Sequence, residues 1–580
     1  MTRSDKAKLT GDIAVMAKGR GDGQDFFRLE IAEAGKKPRK EILSVGEYRS
    51  NSLVTITALR LPLLSGAAQR EFASRLQAAF GMKVTFSVAT RSGWHKGSFV
   101  YPSGAVIGDQ TFEVCLPNDV KRYGGKFCER GTLAGWQKLA ALAHGNTRLM
   151  MAMALAFVGP LGDLLKAEQV MIQLFGAAGS GKSAIATAAG AMWGCNLDLP
   201  LPTFSETWNN TVNKIDLIAV LHHAMFLVLD ETKSIDDDEQ RRKAFLVIAK
   251  ALMRLAEGAT KGRMTDVAAA ATWWMGILST SNLSLDEMAR RDRCLIDDAH
   301  RTRLIDVPLA CGARGSGAFE KLHGFTDHAA LATELKRIAG KHCGVASTRF
   351  VEGLVAWRKR DERGLRDRLS ERRDCYRRVV KRRIASGQRD LARLHEKFAT
   401  IFAAGALAIK FGIVPWSNNE LGNALLACEQ AHVDLVAGAE PIRQQQQKSD
   451  PMELLTAHVR QHRPEFIDLR KGLVERDADH DHGTCVGYVN RAPDGSNEFL
   501  FSNDKLREIC GSLAALLRLK QDLRSDGMLL EDEHRPSTRR TIWKKGKREQ
   551  VIAIRERAFS QQGATGRLAP SVGVAQLLQR

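Results

Sequence analysis

Lys182 and Ser183 end the octapeptide Gly176-Ala177-Ala178-Gly179-Ser180-Gly181-Lys182-Ser183, and Asp230 and Glu231 end a later run, Phe226-Leu227-Val228-Leu229-Asp230-Glu231. The octapeptide fits the phosphate-loop pattern. Gly176, Gly179, Ser180 and Gly181 let backbone N–H groups curl around an anion, Lys182 can reach β- and γ-phosphate oxygens, and the Ser183 hydroxyl can ligate Mg²⁺. In the later run four apolar residues predict a buried strand. Asp230 at its end can hold Mg²⁺ through water, and Glu231 can polarise the water that attacks a γ-phosphate. These residues predict binding and hydrolysis of a nucleoside triphosphate. The plainer readings are a glycine turn with a surface lysine and a capped strand end with solvated acids.

Further polar groups follow on the next apolar runs. Trp274-Met275-Gly276-Ile277-Leu278-Ser279 leads into Thr280-Ser281-Asn282, and the Asn282 amide is expected beside the carboxylates as a water-positioning sensor, with Thr280 as the fallback. An asparagine in a turn also needs no function, because it tolerates left-handed backbone. Arg301 and Arg303 precede Leu304-Ile305-Asp306-Val307-Pro308; one of them is a candidate to stabilise transition-state charge on a neighbouring subunit's nucleotide, against a plain pairing with Asp297 or Asp298. Lys261 and Arg263, in the turn-rich insert from Gly258 to Asp266, are candidate phosphate contacts to a DNA strand at a hairpin tip. His480, His482 and Cys485 have metal-compatible side chains but lack a fourth partner at zinc spacing.

Positioning these residues requires a parallel α/β sheet. Val170-Met171-Ile172-Gln173-Leu174-Phe175 supplies the strand before the glycine loop, and the Ala-rich stretch from Ala184 to Ala191 supplies the helix after it. Upstream, Phe27, Leu29 and Ile31 alternate with charged residues and turn through Gly35-Lys36-Lys37-Pro38 toward Ile42 and Leu43, a hairpin. A helix bearing Phe72, Leu76 and Phe80 ends at Gly81, and 83–88 reads as a strand. Residues 1–128 are expected as an N-terminal mixed α/β domain and 129–345 as the nucleotide domain. Residues 351–400 hold 16 Lys/Arg against 8 Asp/Glu, a charged helical segment within a basic helical domain at 346–445. Gln444 to Gln447 read as a linker. From there 446–560 follow a helix, helix, hairpin order that predicts a winged helix, and 561–580 form a tail.

The chain has 580 residues, 44% apolar and 26% charged, which is ordinary for a folded protein of several units. A net charge of +20 favours polyanionic partners, with nucleic acid the commoner choice for a nucleotide-binding protein. Ten cysteines without a CxxC pair argue against a zinc ribbon and a disulfide framework and fit a reducing, cytoplasmic setting. Leu149 to Leu165, interrupted by Gly159-Pro160, reads as a buried helix, so no membrane partner is expected.

Taken together, these residues resemble a family of P-loop ATPases of prophages, plasmids and genomic islands that carry an uncharacterised domain, some of them related to MCM-like replicative helicases of mobile elements. The resemblance rests on Arg91-Ser92-Gly93-Trp94-His95, Phe99-Val100-Tyr101-Pro102-Ser103-Gly104, Gly131-Thr132-Leu133 with Trp136, and Gly145-Asn146-Thr147-Arg148-Leu149. It continues through the glycine loop, Thr207-Trp208-Asn209-Asn210-Thr211, Leu229-Asp230-Glu231, Arg303-Leu304-Ile305-Asp306-Val307-Pro308 and Lys397-Phe398-Ala399, and spans roughly residues 25 to 560. It implies a ring-forming AAA+ motor, an ATP hydrolase and DNA helicase acting on single-stranded or forked DNA, hexameric, with a primase or other replication protein as a possible partner. Lys182 and Ser183 would then be the nucleotide loop, Asp230 and Glu231 the magnesium and water residues, and Asn282 the sensor. The Lys261-Gly262-Arg263 insert carries fewer cations than that family leads one to expect, and no zinc-binding or TOPRIM-like primase signature is visible. Two other classes stay open: an ATP-gated DNA-binding switch or defence ATPase without unwinding, and a P-loop phosphotransferase, which the Asp230-Glu231 pair disfavours.

Overall fold

A computed structural model describes residues 12–559 except 33–35, 51, 62–65, 118–119, 121–123, 196–203, 209, 211, 231–237, 261–270, 292–295, 297, 311–316, 384–389, 449–450, 470–485, 492–494, 511–512, 530–538 and 545–546. The chain divides into two units, Met1–Met288 with Ile296–Val433, and Ala289–Leu295 with Asp434–Arg580.

In the first unit, strands β1 (Asp12–Gly21), β2 (Gln24–Ala32), β3 (Arg39–Ser44), β4 (Val84–Ala89) and β8 (Glu113–Val114) form one sheet in the order β3-β2-β1-β4-β8. The expected hairpin is the antiparallel β2–β3 pair, with Phe27 opposite Leu43. Phe27, Leu29, Ile31 and Leu43 are fully buried against Phe72 and Leu76 of helix Gly66–Ala79, because alternate strand residues face one side and the helix presents an apolar stripe to it. Strand β1 lies ahead of the hairpin, where the sequence reading places no element. Its interrupted apolar pattern, Ile13, Val15 and then a bulge between Val15 and Ala17, conceals a central strand.

A three-stranded antiparallel sheet of β5 (Gly93–His95), β6 (Ser98–Val100) and β7 (Val106–Ile107) follows. Its apolar face belongs to the main core: Phe99 and Tyr101 pack on Trp193, and Trp94 Nε1 donates to Pro160 O at 2.7 Å. Trp94, Phe99 and Tyr101 of the RxGWH and FVxPxG pieces are therefore packing residues between this sheet and the segments around Pro160 and Trp193.

The core sheet has the order β10 (Glu206–Thr207), β11 (Phe226–Asp230), β12 (Gly276–Ser281), β9 (Val170–Phe175) and β13 (Leu304–Pro308), and every neighbouring pair is parallel. Near-continuous burial of β9, β11 and β12 is what a parallel sheet with both faces covered demands. Leu149 to Leu165 is not one helix. Helix Thr147–Leu155 gives way to a second helical stretch, Gly159–Leu165, bent by 48°, where Gly159-Pro160 interrupts the first. Among the described residues no single helix is long and apolar enough to cross a membrane, and this bent pair is largely buried.

The charged segment forms helix Val345–Arg383, kinked at Asp361, which packs against helix Asp390–Lys410. Many of its arginines are paired locally, Arg366 with Glu362 at 2.6 Å and Arg377 with Asp374 at 2.6 Å. The Gln444 to Gln447 run is not a linker break: helix Asn418–Lys448 continues through it, since glutamine is a good helix former.

The second unit carries helices Pro451–His462, Asn503–Cys510 and Leu513–Ser525 and a sheet in the order β14 (Ile467–Asp468), β15 (Tyr488–Arg491), β16 (Asn497–Ser502), β18 (Lys547–Arg555), β17 (Arg539–Lys544). The expected helices and the 541–554 hairpin are present. Strands β15 and β16 are additions, and Leu529 adds a single antiparallel bridge to Ile554.

Candidate functional site

The site lies on the C-terminal edge of the core sheet, where β9, β12 and β11 end side by side. Ser281 is opposite Phe175, and Ser279 is opposite both Gln173 and Leu229, so one residue further along brings Thr280 level with Asp230. The loop after β9 turns with Gly179 at φ +76° and Gly181 at φ +104°, and helix Lys182–Gly190 begins at once. A Cβ at Gly181 would sit 3.1 Å from the Ala318 methyl in a backbone conformation that L-residues avoid, so glycine is required there. Gly176 is anchored by its N–H to Ser281 O at 3.1 Å, and the Ser180 hydroxyl closes the loop on Ala177 O at 2.6 Å.

Lys182 is 8% exposed, and its Nζ donates to Gly176 O at 2.6 Å, Ala177 O at 2.8 Å and Asn282 Oδ1 at 2.9 Å. A buried ammonium must be satisfied, and these three neutral oxygens do so. Ser183 is exposed in the first turn of the helix, the end at which N–H groups without an intrahelical acceptor favour negative charge.

Asp230 ends β11, and its Oδ1 accepts a hydrogen bond from the Thr280 hydroxyl. The expectation for β12 thus divides in two: Thr280 orients the carboxylate, while Asn282 reaches the lysine. Both follow from β12 lying between β9 and β11. Glu231 lies outside the described residues.

One row below this edge, a buried polar chain crosses the sheet. Trp208 Nε1 donates to Ser279 Oγ at 2.9 Å, Ser279 Oγ to Gln173 Oε1 at 3.1 Å, and Gln173 Nε2 to Asp306 Oδ1 at 2.7 Å. Leu285 N donates to Asp306 Oδ2 at 2.8 Å. Burial pushes the Asp306 carboxyl up to about 7, against the hydrogen bonds from Leu285 and Gln173. Sequence reading alone gives this row of hydrogen bonds no role. Its signal was present: Gln173 and Asp306 are polar residues inside otherwise apolar strand runs, which must find partners.

Arg301 and Arg303 end helix Asp298–Arg303 just before β13. Leu304 is opposite Met171, so both arginines lie at the N-terminal edge of the sheet, away from the Lys182 loop of the same chain. Arg301 is bound to Asp286 at 2.7 Å and to Asp298 at 2.7 Å, while Arg303 donates to Ala299 O at 2.9 Å.

Lys261 and Arg263 lie outside the described residues, but the segments flanking them pair. Thr260 N donates to Ala271 O at 2.8 Å and Trp273 N to Gly258 O at 2.8 Å, with an antiparallel bridge between Ala259 and Thr272. His480, His482 and Cys485 are likewise outside the described residues.

Residues 8–270 match a family described as "Domain of unknown function (DUF927)". A solved structure described as "SCCmec type IV Cch - active helicase" superposes with a TM-score of 0.55 at 14% sequence identity, covering 94% of this chain and 94% of that one. At that identity the likeness is one of fold, and it runs through both units. No curated protein matches the chain.

Proposed function

We propose that the chain is an ATP-dependent DNA helicase or translocase of a mobile genetic element, working as an MCM-like AAA+ ring. The observation that carries the reading is the convergence of Lys182, Asn282, Thr280 and Asp230 on one sheet edge at the start of a helix. In this reading Gly176, Gly179, Ser180, Gly181 and Lys182 hold the phosphates. The Lys182 amine exchanges its bonds to loop carbonyls for bonds to phosphate oxygens, and Asn282 stays within reach of the γ-phosphate. The hard oxygens of Ser183 and Asp230 suit Mg²⁺, which when bound neutralises the developing phosphate charge. Glu231 polarises the attacking water, and Asn282 orients it.

Arg301 or Arg303 acts across a subunit interface. The placement of both on the sheet edge remote from their own chain's loop supports action in trans, and the Asp286 partner of Arg301 makes Arg303 the readier of the two. Lys261 and Arg263, beyond the paired 258–260 and 271–273 segments, contact a DNA strand in the channel. Residues 129–345 form the motor, 346–445 a basic helical domain and 446–560 a winged helix, and hydrolysis at each interface changes the grip on DNA. The +20 charge and the fold shared with a structure described as a helicase support a nucleic-acid motor.

The test compares wild type with Glu231→Gln for displacement of a labelled strand from a forked duplex, with ATP hydrolysis scored in the same samples. Displacement by wild type and its loss in the variant supports the motor. DNA-stimulated hydrolysis without displacement selects an ATP-gated switch, and no hydrolysis under any condition removes the catalytic assignment.

A further inference from the structure

Cys128, Cys195 and Cys343 are far apart in sequence, yet their three Sγ atoms all lie within 4.8 Å of one another. Cys343 is fully buried, Cys195 is 4% exposed and Cys128 is half-buried. The Cys195 and Cys343 sulfurs are 3.2 Å apart, well beyond the length of a disulfide at about 2.05 Å. Thiolates bound tetrahedrally at about 2.3 Å from one zinc ion are about 3.8 Å from each other, so the cluster has the size of a metal's sulfur face.

The three segments are fastened together by main-chain bonds independent of the sulfurs. Arg130 and Cys343 exchange both N–H···O bonds, at 2.8 and 3.0 Å. Gly344 N donates to Ala191 O at 2.9 Å and Ser347 N to Met192 O at 3.2 Å. Gly344, at φ +75°, brings its Cα so near that a Cβ would lie 2.0 Å from Cys128 O. Scaffold bonds therefore set the sulfur positions in advance, which is what a ligand set requires. An odd number of touching thiols also leaves one without a partner in any disulfide arrangement.

We infer that Cys128, Cys195 and Cys343 bind one Zn²⁺ through three thiolates, with solvent at the fourth position on the side of half-buried Cys128. Binding releases three thiol protons and leaves a net charge of −1 on the bound group, and Arg130, close enough to interact with the Cys195 thiolate, offsets it. The ion would join three places in the chain: the end of the 124–128 segment, the chain leaving helix Lys182–Gly190, and the start of helix Val345–Arg383. It is a structural clamp on the far end of the helix that opens at the glycine loop, and it does not depend on what the loop binds.

The full chain, purified without chelator, is analysed for metal by elemental mass spectrometry, alongside Cys128→Ser, Cys343→Ser and, as a control outside the cluster, Cys375→Ser. Wild type and Cys375→Ser are expected to carry about one zinc per chain, and the two cluster variants to lose it. A measurement on wild type alone guards against variants that fail to fold: cobalt added to chelator-stripped protein should give a thiolate-to-metal charge-transfer band, and zinc should slow alkylation of Cys128. A zinc-free wild type without the cobalt band, zinc retained by both cluster variants, or a Cys195–Cys343 disulfide in freshly purified protein would each overturn the assignment.

Discussion

The Lys182 amine donates to the Asn282 side-chain oxygen at 2.9 Å, across 100 residues of sequence. The bond exists because β12 is hydrogen-bonded directly to β9, so the chain leaving Ser281 meets the glycine loop leaving Phe175. If the loop holds phosphates, this contact places one polar amide where water and the terminal phosphate meet. Asn282→Ala is then expected to leave nucleotide affinity nearly unchanged and slow hydrolysis by about 10²-fold, the size found when one preorganised donor is removed. Lys182→Ala should lose nucleotide binding itself. Titration with a fluorescent nucleotide and phosphate release on the same samples separate the two; equal loss of affinity in both variants would reduce Asn282 to a lysine prop.

The Thr280 hydroxyl donates to Asp230, and the bond fixes the carboxylate's direction. Thr280→Val keeps the shape and removes the donor. It should raise the Mg²⁺ concentration needed for half-maximal hydrolysis by about 10–100-fold, as loss of an outer-shell partner does, and Thr280→Ser should restore it. An unchanged Mg²⁺ requirement would show that Asp230 does not hold the ion.

Asp306 links pH to stability. Burial raises its carboxyl to about 7 despite the donors Leu285 N and Gln173 Nε2. Between the ordinary carboxylate value and 7 the folded chain keeps a proton that the unfolded chain has released, so this group's contribution to stability falls as pH rises from about 4 to about 7 and is level above. The change is on the order of 4 kcal/mol over that window. Asp306→Asn pays a constant cost for setting an amide against an N–H donor but carries no proton to lose. The unfolding free energy of the variant relative to wild type should therefore improve steadily from pH 4 to 7; parallel curves would place the Asp306 titration elsewhere.

In the helical segment, Glu429 is fully buried and accepts from Tyr376 Oη at 2.7 Å, and its other oxygen lies 2.5 Å from His395 Nδ1. Replacing it by leucine strands both partners, with an expected loss of about 3–5 kcal/mol in urea unfolding. Tyr376→Phe in the Glu429→Leu background should recover part of that loss, because it removes one stranded hydroxyl. A loss no larger than that from an exposed carboxylate such as Glu371 would mean that water replaces the buried partners.

How much of this could be read beforehand depends on the range of the interaction. The β2–β3 hairpin, the helix over 66–79, and the strand, glycine turn and helix around Lys182 are local, and periodicity with punctuating glycines exposes them. Strand β1 was hidden because a bulge shifts its alternation, and β15 and β16 because short two-sided strands lack a regular period. The Gln444 to Gln447 run looked like a linker by composition alone, although glutamine carries no barrier to a continuing helix.

The sequence by itself determined the residue types at the candidate site and the order in which strands deliver them: Lys182 and Ser183 after β9, Asp230 ending β11, Asn282 after β12. Those are properties of short runs whose burial and turn chemistry act over a few residues. Only the tertiary structure decided that β12 lies between β9 and β11, hence that Asn282 meets Lys182 while Thr280 meets Asp230. It also joined Trp208, Ser279, Gln173 and Asp306 into one buried chain and brought Cys128, Cys195 and Cys343 within reach of one ion. Strand order and long-range closure are set by how whole apolar faces fill a shared core, and no local spacing encodes which distant side chains that packing makes neighbours.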